Sequence, residues 1–186
     1  MKILQSPYDA RLIMSAFGAI PRCGTFHFPT YDTILPMPFN FSHITDDLYI
    51  GNMPQVTDYE GLRELGIRLI INMRFSRGPL PDTHDTPIRT LWLRTIDSPF
   101  FPMPVSKLMR GAKAALETIR DGGKVYVHCA YGRHRGVAMG ACVLIAQGYE
   151  PEAAMKLIAE RRLVADPNAF YIRPRIMEFA KKWNDT

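Results

Sequence analysis

From Ile44 to Trp183 the chain alternates short, nearly unbroken apolar runs with longer stretches in which apolar residues return every three or four positions. The run Ile67-Arg68-Leu69-Ile70-Ile71-Asn72-Met73 has strand length and predicts a buried strand, as does Lys124-Val125-Tyr126-Val127. A further strand is predicted over Ile88 to Arg94, and Ile44 to Asn52 predicts a hairpin or short strands around Asp46-Asp47. Helical spacing appears from Asp58 to Leu65, stopped by Gly66. It returns over Val105 to Arg120, where Leu108, Ala112, Leu116 and Ile119 share a face before Asp121-Gly122-Gly123. Val137 to Ala146 is apolar all round and predicts a buried helix; Pro151 opens another that runs to Arg162, and Tyr171 to Trp183 forms the last. Strands alternating with helices predict an α/β domain, a mixed, largely parallel sheet covered by helices on both faces, with a ligand at the carboxyl ends of the strands.

The first forty residues follow another pattern. Leu12 to Ile20 is an apolar run too short to span a bilayer, preceded by Asp9 and Arg11 and lacking the basic start of a signal peptide. A short helix docked on the domain is the simpler expectation, and an interfacial anchor the alternative. Residues 21–40 carry Pro21, Pro29, Pro36 and Pro38 among Phe26, Phe28, Tyr31 and Phe39, the composition of a linker or wrapping arm. Residues 1–40 therefore form an N-terminal extension, and residues 41–186 a catalytic domain. With 186 residues and 47% hydrophobic content, the chain is long and apolar enough for one real core, which excludes disorder as its main state. A net charge of +5 favours an anionic ligand without choosing among phosphoprotein, lipid headgroup and nucleic acid. Three cysteines without paired spacing argue against a disulfide framework, and point to a soluble protein in the reducing cytoplasm with Cys23 and Cys142 unreactive.

The segment between the predicted strand at Lys124 and the helix at Val137 reads His128-Cys129-Ala130-Tyr131-Gly132-Arg133-His134-Arg135-Gly136. Gly132 allows a turn that directs backbone N–H groups inward, and such a loop at a helix N-terminus cradles an anion. The same partial positive charge stabilises a thiolate, so Cys129 is expected to have a lowered pKa and to act as a nucleophile. Arg135, six positions on, supplies a planar fork for two phosphate oxygens. The competing reading, in which Cys129 is merely a small hydrophobe at a strand end, leaves the rest of the pattern unused.

This run resembles the phosphate-binding loop of the cysteine-dependent phosphatases, the protein-tyrosine and dual-specificity superfamily: His-Cys, five residues, then Arg. The resemblance extends from about Phe41 to Lys182. Ile44 to Asn52 and Leu62 to Met73 look like the opening of an atypical dual-specificity phosphatase domain, and Glu160-Arg161-Arg162 through Asp166-Pro167-Asn168-Ala169-Phe170 like its closing segment. The resemblance implies a protein-tyrosine phosphatase-like fold. It also implies substrate contacts from Ala130, Tyr131, Gly132, Arg133, His134 and Gly136, with His128 ordering the loop. One departure stands out: the family usually places Ser or Thr after the loop arginine, where this chain has Gly136.

A thiolate that attacks a phosphate ester expels a poor leaving group unless an acid protonates it. Asp97, in Arg94-Thr95-Ile96-Asp97-Ser98-Pro99, follows a predicted strand and stands at a spacing from Cys129 similar to that of the family's general acid. A bare turn with Ser98-Pro99 is the alternative. The expected enzyme is thus a phosphoric monoester hydrolase that works through a phosphocysteine intermediate without metal or cofactor. Its expected substrates are phosphotyrosine, then phosphoserine or phosphothreonine, in proteins. The same chemistry on phosphoinositides, inositol phosphates or RNA 5′ phosphates is one rival, since Arg133 and His134 add basic groups, and a non-catalytic phosphate-binding module is another. No stable nucleic-acid partner and no membrane span are expected. Asp82-Thr83-His84-Asp85, between Pro81 and Pro87, reads as a solvated turn rather than a metal site.

Overall fold

The computed structural model describes residues 39–185, and the expected extension up to residue 38, with Cys23 and the apolar run 12–20, lies outside them. Five strands form one sheet: β1 (Phe41–Thr45), β2 (Leu48–Gly51), β3 (Ile67–Asn72), β4 (Arg89–Trp92) and β5 (Lys124–His128), in the order β1-β2-β5-β3-β4. β1 and β2 make the antiparallel hairpin expected around Asp46-Asp47, while β2 and β3 run parallel to β5 between them, and β4 runs parallel to β3. The helices are α1 (Tyr59–Glu64), α2 (Val105–Arg120), α3 (Arg135–Ala146), α4 (Pro151–Arg161) and α5 (Arg173–Asn184). A 3₁₀ turn over Val56–Asp58 leads into α1.

Side-chain alternation divides the core. In β5, Val125 and Val127 face α2–α5, and Tyr126 faces the side of α1; Leu48 and Ile50 against Tyr49 do the same in β2. In β3, Ile67 and Ile70 share the α1 side although three positions apart, because the pairing with β5 shifts register between Ile67 and Leu69. Helices do cover both faces, but unequally: four long ones on one side and the single short α1, holding Tyr59 and Leu62, on the other. α3 is buried from Arg135 to Ile145, as an all-round apolar helix must be.

Two connections differ from simple strand–helix alternation. β3 joins its parallel neighbour β4 through residues 73–88 without a helix, a stretch containing Pro79, Pro81 and Pro87. Asp82 organises it: its carboxylate pairs with Arg63 of α1 and accepts from the backbone N–H of Ile88 at 2.9 Å. His84 Nδ1 accepts from the N–H of Thr86 at 3.1 Å, so this polar stretch is a hydrogen-bonded turn. The last helix starts at Arg173 rather than Tyr171; Ile172 packs into the core, and Tyr171 contributes to the site described next.

Candidate active site

β5 lies at the middle of the sheet, and Cys129 follows its last residue, His128, at the carboxyl edge where β2 and β3 end on either side. Residues 129–134 turn into α3, which begins at Arg135 with His134 as its N-cap. The first-turn amides of α3 have no acceptor within the helix, and its dipole places partial positive charge at this end. Cys129 is only 2% exposed, at the floor of the loop. Gly132 has φ +62°, and a Cβ there would lie 2.6 Å from the carbonyl oxygen of Gly51 and 2.7 Å from Arg162 Nη2. Glycine is therefore required both by conformation and by space.

The loop is held from outside by Arg162, a buried side chain at the end of α4. Its Nε donates to the carbonyl of Gly132 at 2.7 Å and its Nη2 to that of Tyr131 at 2.9 Å. Its Nη1 reaches Asn40 Oδ1 at 3.1 Å and Ser42 Oγ at 3.3 Å, which fixes the guanidinium to the first strand. Asn40, on the edge of the expected linker, accepts from the backbone N–H of Asn52 at 3.0 Å and donates its own N–H to Asn52 Oδ1 at 2.9 Å. His128 supports the loop from beneath. Its Nδ1–H donates to the carbonyl of Cys129 at 3.2 Å, and complete burial pulls its pKa down to about 4, so it is a neutral imidazole at pH 7.

Arg135 is 8% exposed and spans the ends of two strands. Its Nη1 donates to the carbonyls of Thr95 at 2.7 Å and Met73 at 3.2 Å, and Thr95 Oγ1 ties the same Met73 carbonyl at 2.6 Å. Its Nε makes no hydrogen bond and faces Asp97 Oδ2 at 3.4 Å. Arg94 sits at φ +46°, a left-handed kink just before Thr95 that turns the chain over the cradle; its guanidinium stacks on Trp92 and Phe75. Asp97 thus reaches Arg135 rather than merely starting a turn, while Ser98 Oγ accepts from the N–H of Phe100 at 3.2 Å.

Two of the expected loop contributors, Arg133 and His134, have partners within the protein. Arg133 is an exposed side chain whose Nη2 lies 3.8 Å from Asp166 Oδ2, and its carbonyl accepts from the Asp166 N–H. His134 Nδ1 lies 2.9 Å from Tyr171 Oη and 3.6 Å from Asp97 Oδ1. Tyr131 is 64% exposed. Ala130 lies in the loop beside Cys129, and Gly136 packs on the backbone of His128 and Cys129. Tyr171, which no sequence motif marks, donates to Asp97 Oδ1 at 3.0 Å; burial and the adjacent carboxylate push its pKa up to about 12, so the phenol keeps its proton. Arg74 adds positive charge nearby, and its pKa is lowered by burial and by Arg77 and Arg135.

A recessed thiol, an arginine fork and a carboxyl gathered over a helix N-terminus at a sheet's carboxyl edge define a cysteine-dependent phosphatase. Residues 41–174 match the family described as "PTP-SAK: Swiss Army Knife protein, DSP-PTPase phosphatase domain". Dual specificity phosphatase 28 of Mus musculus is 30% identical over 137 residues, covering 70% of this chain and 78% of that protein. Phosphatidylglycerophosphatase and protein-tyrosine phosphatase 1 of Rattus norvegicus is 35% identical over 98 residues, covering 52% of this chain and 48% of that protein. A mouse putative dual specificity phosphatase, solved in complex with zinc tungstate, superposes with a TM-score of 0.71 at 23% identity, over 84% of this chain and 96% of that one. The chain belongs to the dual-specificity phosphatase family of phosphoric monoester hydrolases.

Proposed function

We propose that the protein hydrolyses phosphotyrosine, and secondarily phosphoserine or phosphothreonine, in proteins, with Cys129 as nucleophile, Arg135 as phosphate fork and Asp97 as general acid. Cys129 Sγ attacks phosphorus while Asp97 protonates the departing oxygen, and Arg135 with the loop amides holds the equatorial oxygens. The ionised Asp97 then takes a proton from the water that displaces sulfur from phosphorus. The observation that carries this reading is the meeting of Arg135 and Asp97 at 3.4 Å beside a cysteine recessed behind the N-terminus of α3.

Protein substrates are favoured over polyanionic ones because the two extra basic groups of the loop are occupied. Arg133 faces Asp166, and His134 is bonded to Tyr171. Exposed Phe100, Phe101, Tyr131 and Phe170 lie on the loop itself or on segments next to Asp97 and Tyr171, and suit the phenyl ring of an ester. Among the rival substrates, a phosphoinositide, an inositol phosphate or an RNA 5′ phosphate, the phosphorylated lipid draws support from the rat relative, which is named a phosphatidylglycerophosphatase as well as a protein-tyrosine phosphatase. A nucleophile that must stay a free thiol, as Cys129 and Cys142 both are, suits a reducing compartment such as the cytoplasm.

Turnover of phosphotyrosine peptides, phosphoinositides and 5′-phosphorylated RNA by one preparation tests the substrate class, with highest kcat/KM on the peptides expected. Cys129→Ser is expected to abolish hydrolysis of an aryl phosphate while vanadate binding remains measurable. Substantial residual turnover overturns the nucleophile assignment.

A further inference from the structure

Phosphoryl transfer of this kind needs a carboxyl beside the leaving oxygen and nothing behind it, yet a phenol and an imidazole stand behind Asp97. Tyr171 comes from the segment just before α5, 74 positions away in the chain, and its Oη donates to Asp97 Oδ1 at 3.0 Å. The same oxygen lies 2.9 Å from His134 Nδ1, and the two rings meet edge to face at 5.4 Å. His134 is the N-cap of α3, directly before Arg135. The loop that carries Asp97 has exposed Ile96, Phe100 and Phe101 around it, so few packing contacts fix the carboxyl.

A phenol has one proton to donate. When Asp97 is ionised, Tyr171 donates to it and His134 presents Nδ1–H to the phenol oxygen. When Asp97 carries its proton, the carboxylic acid donates to Tyr171 Oη, and Tyr171 donates to the unprotonated Nδ1 of His134. Either arrangement makes two hydrogen bonds, so the carboxyl keeps its place in both protonation states.

We propose that Tyr171 and His134 are positioning residues that hold Asp97 over the cradle both as acid and as base, the hydrogen bonds reversing direction when its proton leaves and returns. The proposal rests on the reading of Asp97 as the general acid. Protons balance: Asp97 gives one to the leaving oxygen and regains it from the hydrolytic water, whose oxygen bonds to phosphorus as the S–P bond breaks and the thiolate departs. His134 exchanges its ring proton between nitrogens through solvent, to which its side chain is 21% exposed. The charged groups facing this chain are Arg135, 3.4 Å from Asp97 Oδ2, and the Asp166 carboxylate near Tyr171, which is itself paired with Arg133.

The test is kcat/KM for the full-length enzyme across aryl phosphates whose leaving groups range from good to poor. Asp97→Ala, Tyr171→Phe and the pair Tyr171→Phe with His134→Ala are compared, with melting temperature and vanadate inhibition as controls on folding and on the cradle. Tyr171→Phe is expected to lower the rate for the poorest leaving group about tenfold more than for the best, in the direction of the larger Asp97→Ala effect. Adding His134→Ala is expected to steepen this dependence little further, because both act through one chain. If Asp97→Ala is selective for poor leaving groups and Tyr171→Phe is not, the positioning role is overturned and the acid reading survives. If Asp97→Ala itself shows no selectivity, the acid reading fails and this proposal with it.

Discussion

Arg162 Nε donates to the carbonyl of Gly132 at 2.7 Å, so the loop that leads from Cys129 into α3 is fixed from its outer side by an arginine thirty positions away in the chain. Two loop carbonyls, those of Tyr131 and Gly132, depend on it. Removing the guanidinium leaves these acceptors without their donors, at about 1–3 kcal/mol for a buried group. Arg162→Met, which keeps most of the stem, is expected to lower unfolding stability by about 2–4 kcal/mol in urea. Under conditions where it is still folded, its vanadate affinity is expected to fall about tenfold, since the loop amides are no longer aimed together. A variant with full stability and full affinity would show that the loop holds its own shape.

Gly132 makes a stricter demand. Its φ of +62° costs a residue with a side chain about 1 kcal/mol, but the larger obstacle is the Gly51 carbonyl 2.6 Å from where a Cβ would sit. Gly132→Ala is expected to destabilise the protein by about 2 kcal/mol or more and to weaken vanadate binding, both read by melting curves with and without vanadate. Gly122 offers the contrast: it too has positive φ, but nothing lies within 4 Å of its would-be Cβ, so Gly122→Ala is expected to cost only the backbone term.

The chain announces its strands and its candidate nucleophile more clearly than it announces what supports them. Val125 and Val127 alternate with Tyr126 because one strand faces two cores, and that pattern is local in sequence. Cys129, Gly132 and Arg135 fall within one short segment whose pattern is local, and Asp97 is singled out in the sequence because a thiolate nucleophile needs an acid. Arg162 and Tyr171 are not. Each acts through contacts made at least 30 positions away, and an arginine closing a helix or a tyrosine after Phe170 has the same appearance when merely solvated. For the same reason Arg133 and His134 looked free in the sequence, because their partners Asp166 and Tyr171 arrive from the far end of the domain.

His128 ties stability to pH. Its folded pKa of about 4 lies below the 6.5 of an unfolded histidine, so between these values the unfolded chain binds a proton that the folded chain does not. The contribution is present above pH 6.5 and is lost as pH falls toward 4. From pH 7 to 4.5 it amounts to about 2 kcal/mol. Carboxylates titrate over part of the same range, so the measurement is a difference. Urea unfolding of wild type and His128→Gln, whose amide also donates to the Cys129 carbonyl, is expected to show the wild type losing about 2 kcal/mol more over that interval. Parallel pH curves would mean that His128 titrates in the folded protein much as in the unfolded one.

Gly136 bears on the second chemical step. Where the family usually carries Ser or Thr, no hydroxyl is available from this position to hydrogen-bond the sulfur as it leaves phosphorus. A hydrogen bond to a developing charge contributes about 1.5–3 kcal/mol, roughly ten- to a hundredfold in rate. Breakdown of the phosphocysteine is therefore expected to limit turnover, and rapid mixing with an aryl phosphate should release a burst of phenol at enzyme stoichiometry. The site has room for the missing group: a Cβ on Gly136 would lie 3.4 Å from the backbone nitrogen of Cys129 and 3.4 Å from the carbonyl carbon of His128, ordinary contact distances. It would also face the residue whose sulfur needs the bond. Gly136→Ser is thus expected to fold, to raise the steady-state rate and to shrink the burst. A wild type without a burst, together with an unchanged rate in Gly136→Ser, would show that breakdown of the phosphocysteine does not limit turnover and would overturn this expectation.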